Sequence, residues 1–113
     1  CIDFSYGIYQ ISKAELSNCK DKAISVGERS IFFGQNIIVQ NSEIGLANKD
    51  SSKSYINKIS TSNVNVCLDN YLKKQEFELE NIFLVKKNCD FKKTKNLDFI
   101  TKEVFYSKLK DYE

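Results

Sequence analysis

Apolar and polar positions alternate along much of the chain, and the alternation predicts short strands with few helices. Phe4, Tyr6 and Ile8 with the run Tyr9 to Ile11 predict a first strand over Phe4 to Ile11. Ser12 followed by Glu15 has capping-box spacing, so Ser12 to Lys22 is expected to hold a short helix or an ordered loop. Ser30 to Phe33 and Ile37 to Gln40 read as two strands joined by a hairpin turn at Gly34-Gln35-Asn36. Glu43 to Ala47 continues the sheet, and the polar, Ser-rich Asn48 to Ser54 predicts a loop. Tyr55 to Ile59 alternates weakly, whereas Val64, Val66 and Leu68 hold period two.

After a turn at Asp69 to Gln75, Phe77 and Leu79 alternate with Glu76, Glu78 and Glu80 as a half-buried strand should. Ile82 to Val85 is a continuous apolar run that suits a strand covered on both faces. Leu97 to Ile100 and Val104 to Tyr106 predict a closing hairpin. A C-terminal helix competes with it, because Leu97, Ile100, Val104, Phe105 and Leu109 also fit helical spacing. No internal repeat is visible.

The sum is a mainly β, β-rich α+β domain over residues 1–113. It is expected to be a small antiparallel barrel or sandwich of seven to nine short strands with at most one or two short helices. In layout it resembles the small lipocalin-like barrels of some bacterial lipoproteins. The features involved are an early Gly7-Ile8-Tyr9 strand, Gly27 before the next strand and an aromatic closing strand at Phe105-Tyr106.

Composition narrows the picture. At 113 residues with 42% hydrophobic content and a net charge of +2, the chain can fill one core. It contains no His, which removes the commonest proton-transfer side chain and the commonest metal ligand. The charge balance is too mild for a nucleic-acid binder. Lys86, Lys87, Lys92, Lys93 and Lys95 nevertheless cluster in sequence and are candidate contacts for an acidic partner.

The four cysteines Cys1, Cys19, Cys67 and Cys89 form no C-x-x-C pair and read as one or two disulfides, which implies an oxidising compartment. A chain without Met that opens on Cys1 resembles a mature bacterial lipoprotein. That resemblance implies lipid attachment at Cys1, a membrane anchor and a periplasmic or outer-membrane location in the bacterial cell envelope. Cys19, Cys67 and Cys89 would then remain as disulfide candidates.

Catalytic chemistry finds no footing. Ser and Cys nucleophiles lack a His base, and Ser17-Asn18-Cys19-Lys20 matches Ser-x-x-Lys in form alone. Glu76, Glu78 and Glu80 occupy the polar phase of a strand, and neither a calcium loop nor a phosphate loop is present. No catalytic residue, metal or cofactor is expected. Phe32-Phe33 and Phe105-Tyr106 each put one ring on either sheet face, which leaves Phe32 and Tyr106 as candidate exposed anchors. The expected function is an exported binding protein without catalytic activity, most concretely an inhibitor or immunity protein that blocks a secreted enzyme or toxin. The alternatives are a carrier whose barrel interior, lined by Phe33, Ile37, Phe77 and Phe83, holds an apolar ligand, and a structural envelope lipoprotein.

Overall fold

The computed structural model describes residues 1–90 and 94–113. Strand pairing is parallel throughout: β1 (Ile2–Ser5) pairs β3 (Lys22–Gly27), and β2 (Ile8–Ser17) and β3 both pair β4 (Ile31–Lys49). β4 then pairs β5 (Lys53–Tyr71), β5 pairs β6 (Ile82–Asn88), and β6 pairs β7 (Leu97–Phe99). The register between β4 and β5 is a constant 22 residues, bringing Phe33 beside Tyr55, Ile37 beside Ile59 and Leu46 beside Leu68. A chain that returns to its own side after each such interval is a β-solenoid, here of about three turns. The β-rich expectation holds. The antiparallel barrel or sandwich does not, and with it goes the lipocalin-like layout.

Side chains explain the coil. β4 and β5 are rich in Ile, Val and aromatic residues that fit a pleated, half-buried surface. Ile37, Val39, Leu46, Ile56, Ile59, Leu68, Ile82 and Leu84 are all fully buried in one core between the turns. The corners come from residues in the left-handed region. Asn18, Asn41 and Asn63 have φ of 58°, 52° and 54°, a conformation Asn tolerates better than most side chains. They lie one above another, with Asn63 Nδ2 donating to Asn41 Oδ1 at 2.8 Å. A second corner uses Tyr6, then Glu28 and Arg29, then Asp50 and Ser51, again at positive φ. Gly45 meets a different demand. A Cβ there would lie 2.5 Å from the Cys67 carbonyl oxygen, so the close approach of two turns requires glycine.

One polar network crosses the core. Buried Asn48 donates to the Ser52 carbonyl at 2.6 Å and to Asn70 Oδ1 at 3.1 Å, and accepts from the Ser54 hydroxyl at 2.8 Å. Asn70 passes the chain on to the carbonyls of Glu80 and Lys95. Two disulfides, Cys1–Cys19 and Cys67–Cys89, staple the first turn to itself and the third turn to the end of β6.

Several local expectations are corrected. Gly34-Gln35-Asn36 lies inside β4 and is not a hairpin turn, and Ser12 to Ser17 belongs to β2 rather than to a helix. The Asn48 to Ser54 loop shrinks to Asp50–Ser52 between strands. Phe77 is buried outside any strand, in a connection that folds back over the corner, where Arg29 stacks on its ring at 5.1 Å. The closing hairpin is replaced by β7 followed by α1 (Lys102–Asp111). The hydroxyl of Thr101 caps the Val104 amide, Glu103 and Lys108 complement the helix ends, and Phe105 and Leu109 are buried.

Helix α1 covers an outer stack of rings. Phe33, Tyr55 and Phe83 stand in register with centroids 4.8 Å apart, and Phe105 meets Phe33 edge-on at 6.1 Å. The proposed lumen residues therefore share no interior: Phe33 and Phe83 lie under α1, Ile37 points into the core, and Phe77 sits in the connection.

Replacing Asn48 by Leu leaves the Ser54 hydroxyl and the Asn70 side chain without their buried partner. It is expected to cost about 3 kcal/mol in urea unfolding. Reducing both disulfides is expected to remove about 3 kcal/mol of stability for each bridge, given loops of 18 and 22 residues. Coincident urea curves for the oxidised and reduced protein would disprove that role.

Candidate functional site

The outer face of β2, β4, β5 and β6 is built from four parallel strands in register, about 4.8 Å apart. One column across it carries Lys13 beside Asn36, and Lys58 beside Lys86. The flanking column runs Glu15, Ile38, Ser60 and Asn88. Lys13 is answered by Glu15 at 3.3 Å. Lys58 and Lys86 are exposed, and among the described residues no carboxylate lies within ion-pair distance of either. Like charges set directly opposite on neighbouring strands repel. The fold therefore holds two uncompensated ammonium groups side by side on a polar plane. An adjacent cleft of about 400 Å³, lined by Glu15, Leu16, Ser17, Ile38 and Gln40, gives that plane relief.

The sequence-predicted contacts scatter over this geometry. Lys86 lies on the plane. Lys87 is half-buried, and its Nζ donates to the Cys89 carbonyl at 3.1 Å. Lys95 is exposed beside Asn70, Tyr71 and Leu72, away from Lys86. Lys92 and Lys93 lie outside the described residues. Phe32 is a core residue at 0% exposure, not an anchor, because both members of the Phe32-Phe33 pair are covered, one by the core and one by α1. Tyr106 remains 41% exposed while Phe105 is buried. Lys13 and Lys58 were missed, because they join Lys86 only through the stacking of turns, at offsets that differ from the 22 residues between β4 and β5.

The cysteine expectation resolves into two bridges. The Cys1 sulfur is bonded to Cys19, and a lipid thioether would need that same sulfur. Bridge and lipid on Cys1 are chemically exclusive. Among the described residues no three His, Cys, Asp or Glu side chains gather as metal ligands. Glu76, Glu78 and Glu80 lie in the connection before β6 and not on a strand face.

The opposite corner carries an ion network. Glu28 takes a hydrogen bond from Tyr6 and an ion pair from Lys74 at 3.3 Å, and both hold its carboxyl below the usual range. Tyr6 and Lys74 are raised in turn, each chiefly by its hydrogen bond to Glu28. This network ties the connection after β5 to the first two turns.

Neither a family model, nor a characterised protein, nor a solved structure matches the chain significantly.

A carboxyl whose folded pKa is depressed stabilises the fold above its unfolded pKa, and that contribution vanishes as pH falls through the folded value. The wild type is therefore expected to lose stability relative to Glu28→Gln between neutral pH and pH values below the carboxylate range. Parallel urea titrations at both ends of the window would read the difference, and identical pH profiles would rule the network out.

Proposed function

We propose that this chain is an exported, non-catalytic binding protein whose target is another protein, and that it docks through the Lys58–Lys86 plane. The observation that carries the reading is the pair of in-register ammonium groups, without carboxylate partners among the described residues, on a face of four parallel strands. An acidic strip on the partner would relieve their repulsion and desolvate them as charge-assisted contacts. Opposite charge also steers encounter, which suits a protein that must find its target before that target acts. The most concrete version is an inhibitor or immunity protein that blocks a secreted enzyme or toxin.

The two disulfides support an oxidising compartment, since such bridges persist outside the reducing cytosol. The periplasm of a bacterial envelope fits, without a lipid on Cys1. A coil stapled by two disulfides presents its contact plane pre-organised, which lowers the ordering cost of association.

The test pairs wild type with the double variant Lys58→Glu and Lys86→Glu. A partner isolated from the native envelope should bind the wild type with strong salt dependence. The double variant should lose at least about tenfold in affinity, or roughly 1.4 kcal/mol. Equal affinity of the two proteins by calorimetry, or failure of any envelope protein to bind the wild type, would refute the proposal.

A further inference from the structure

The first turn of the coil has no layer stacked above it. Among the described residues β1 pairs only β3 and β2 pairs only β4, so the outer edge of each carries no strand. The inner side chains show the same gap. Ala14 and Leu16 of β2 are half-buried, whereas Ile37 and Val39, their neighbours one turn on, are at 0% exposure.

An open strand edge presents a row of unpaired N–H and C=O groups, which proteins blunt with short strands, Pro or charge. At the other end of the coil β7 has three residues, and β1 has four. β2 has ten, with neither Pro nor Gly among them. Its two charges, Lys13 and Glu15, are exposed and opposite in sign, with the ammonium and carboxylate 3.3 Å apart. This edge is therefore long, open and neutral.

Those two charges select the strand that fits. Opposite residues of an antiparallel pair point to the same face. A strand pairing with its own copy therefore sets inner residues against inner ones only when the two-fold axis passes through a residue. An axis through Lys13 sets Lys13 against Lys13, and one through Glu15 sets Glu15 against Glu15. Like charges directly opposite are destabilising. An axis through Ala14 sets each Lys13 against the partner's Glu15, with Ala14 facing its own copy.

We infer that β2 is a self-association edge, on which a second copy of this chain pairs antiparallel about a two-fold axis at Ala14. The same edge is used on both copies, so the contact closes at two and does not propagate. It joins β2, β4, β5 and β6 of each copy into one sheet, with both Lys58–Lys86 pairs on the same side. The dimer does not depend on docking at that plane.

Sedimentation of the protein from about 1 μM to 1 mM, the span of weak to moderate association, tests the edge. The wild type should pass from monomer to dimer and stop there. Lys13→Glu should weaken dimerisation at least tenfold, because it faces acid with acid. The charge-exchanged double variant, Lys13→Glu with Glu15→Lys, should recover it, which a folding defect would not allow. Lys58→Gln should dimerise like wild type. Under oxidising conditions Ala14→Cys should cross-link two copies through position 14, since opposite residues of an antiparallel pair lie within disulfide reach, whereas Ser17→Cys should not. A monomer at every concentration overturns the inference, as do open-ended fibres, which head-to-tail stacking would give. So does a dimer that ignores Lys13→Glu or leaves Ala14→Cys uncrosslinked.

Discussion

Every turn of this coil must return to the same height and phase, and the 22-residue parallel register is the constraint on which the rest depends. A parallel ladder stacks each residue on its counterpart one turn away. A choice made once is therefore repeated or answered in the neighbouring turn. Leu46 packs on Leu68, Asn41 binds Asn63, and Phe33 stacks on Tyr55. Corners must recur at the same phase, which explains left-handed backbone at three stacked Asn positions and at the Tyr6, Glu28 and Asp50 corner. Where the interval changes, extra chain leaves the coil. The connection from Leu72 to Asn81 is such a departure, pinned by Asp50 and by Arg29 on Phe77.

The same ladder decides how surface charge is arranged. Isolated lysines on a surface are unremarkable, but stacking can place two of them on adjacent strands without an intervening acid, as at Lys58 and Lys86. At the other corner it lays a lysine stem across a glycine. Both features are consequences of register rather than of local sequence. Neither would exist in an antiparallel sheet of the same residues, where the strand partners would differ.

What could be read from the sequence was local. Period-two alternation marked Val64 to Leu68 and a continuous apolar run marked Ile82 to Val85 correctly as strands, and helical spacing over residues 97–109 offered the competitor that overlaps α1. The sense of pairing was not local. Gly34-Gln35-Asn36 has hairpin chemistry, but the flanking residues find better partners one turn away than across a turn. Asn41 and Asn63 bend the chain inside continuous strands, which no strand propensity anticipates. The alternation of Phe77 and Leu79 with glutamates imitates a strand, yet the buried Phe77 serves the corner. The global signal was present as pairs at one offset: Ser30 and Ser52, Ile37 and Ile59, Asn41 and Asn63, Asn48 and Asn70. Three turns supply too few copies for such pairs to stand out from composition, and a repeat this short in number is seen only once its period is known. The lysine plane inherits the same difficulty, since Lys58 and Lys86 are far apart in sequence.

The placement of the two sulfur bridges has a mechanical consequence. Tension applied to the chain ends would enter at Cys1 and pass directly to Cys19, leaving β1 and β2 unloaded. From the other end it would unravel α1 and β7, then cross from Cys89 to Cys67 and bypass β6. Only the stretch between Cys19 and Cys67 could then lengthen, so while the sulfurs stay oxidised an elongating force finds slack in the middle of the coil and none in its bridged outer turns.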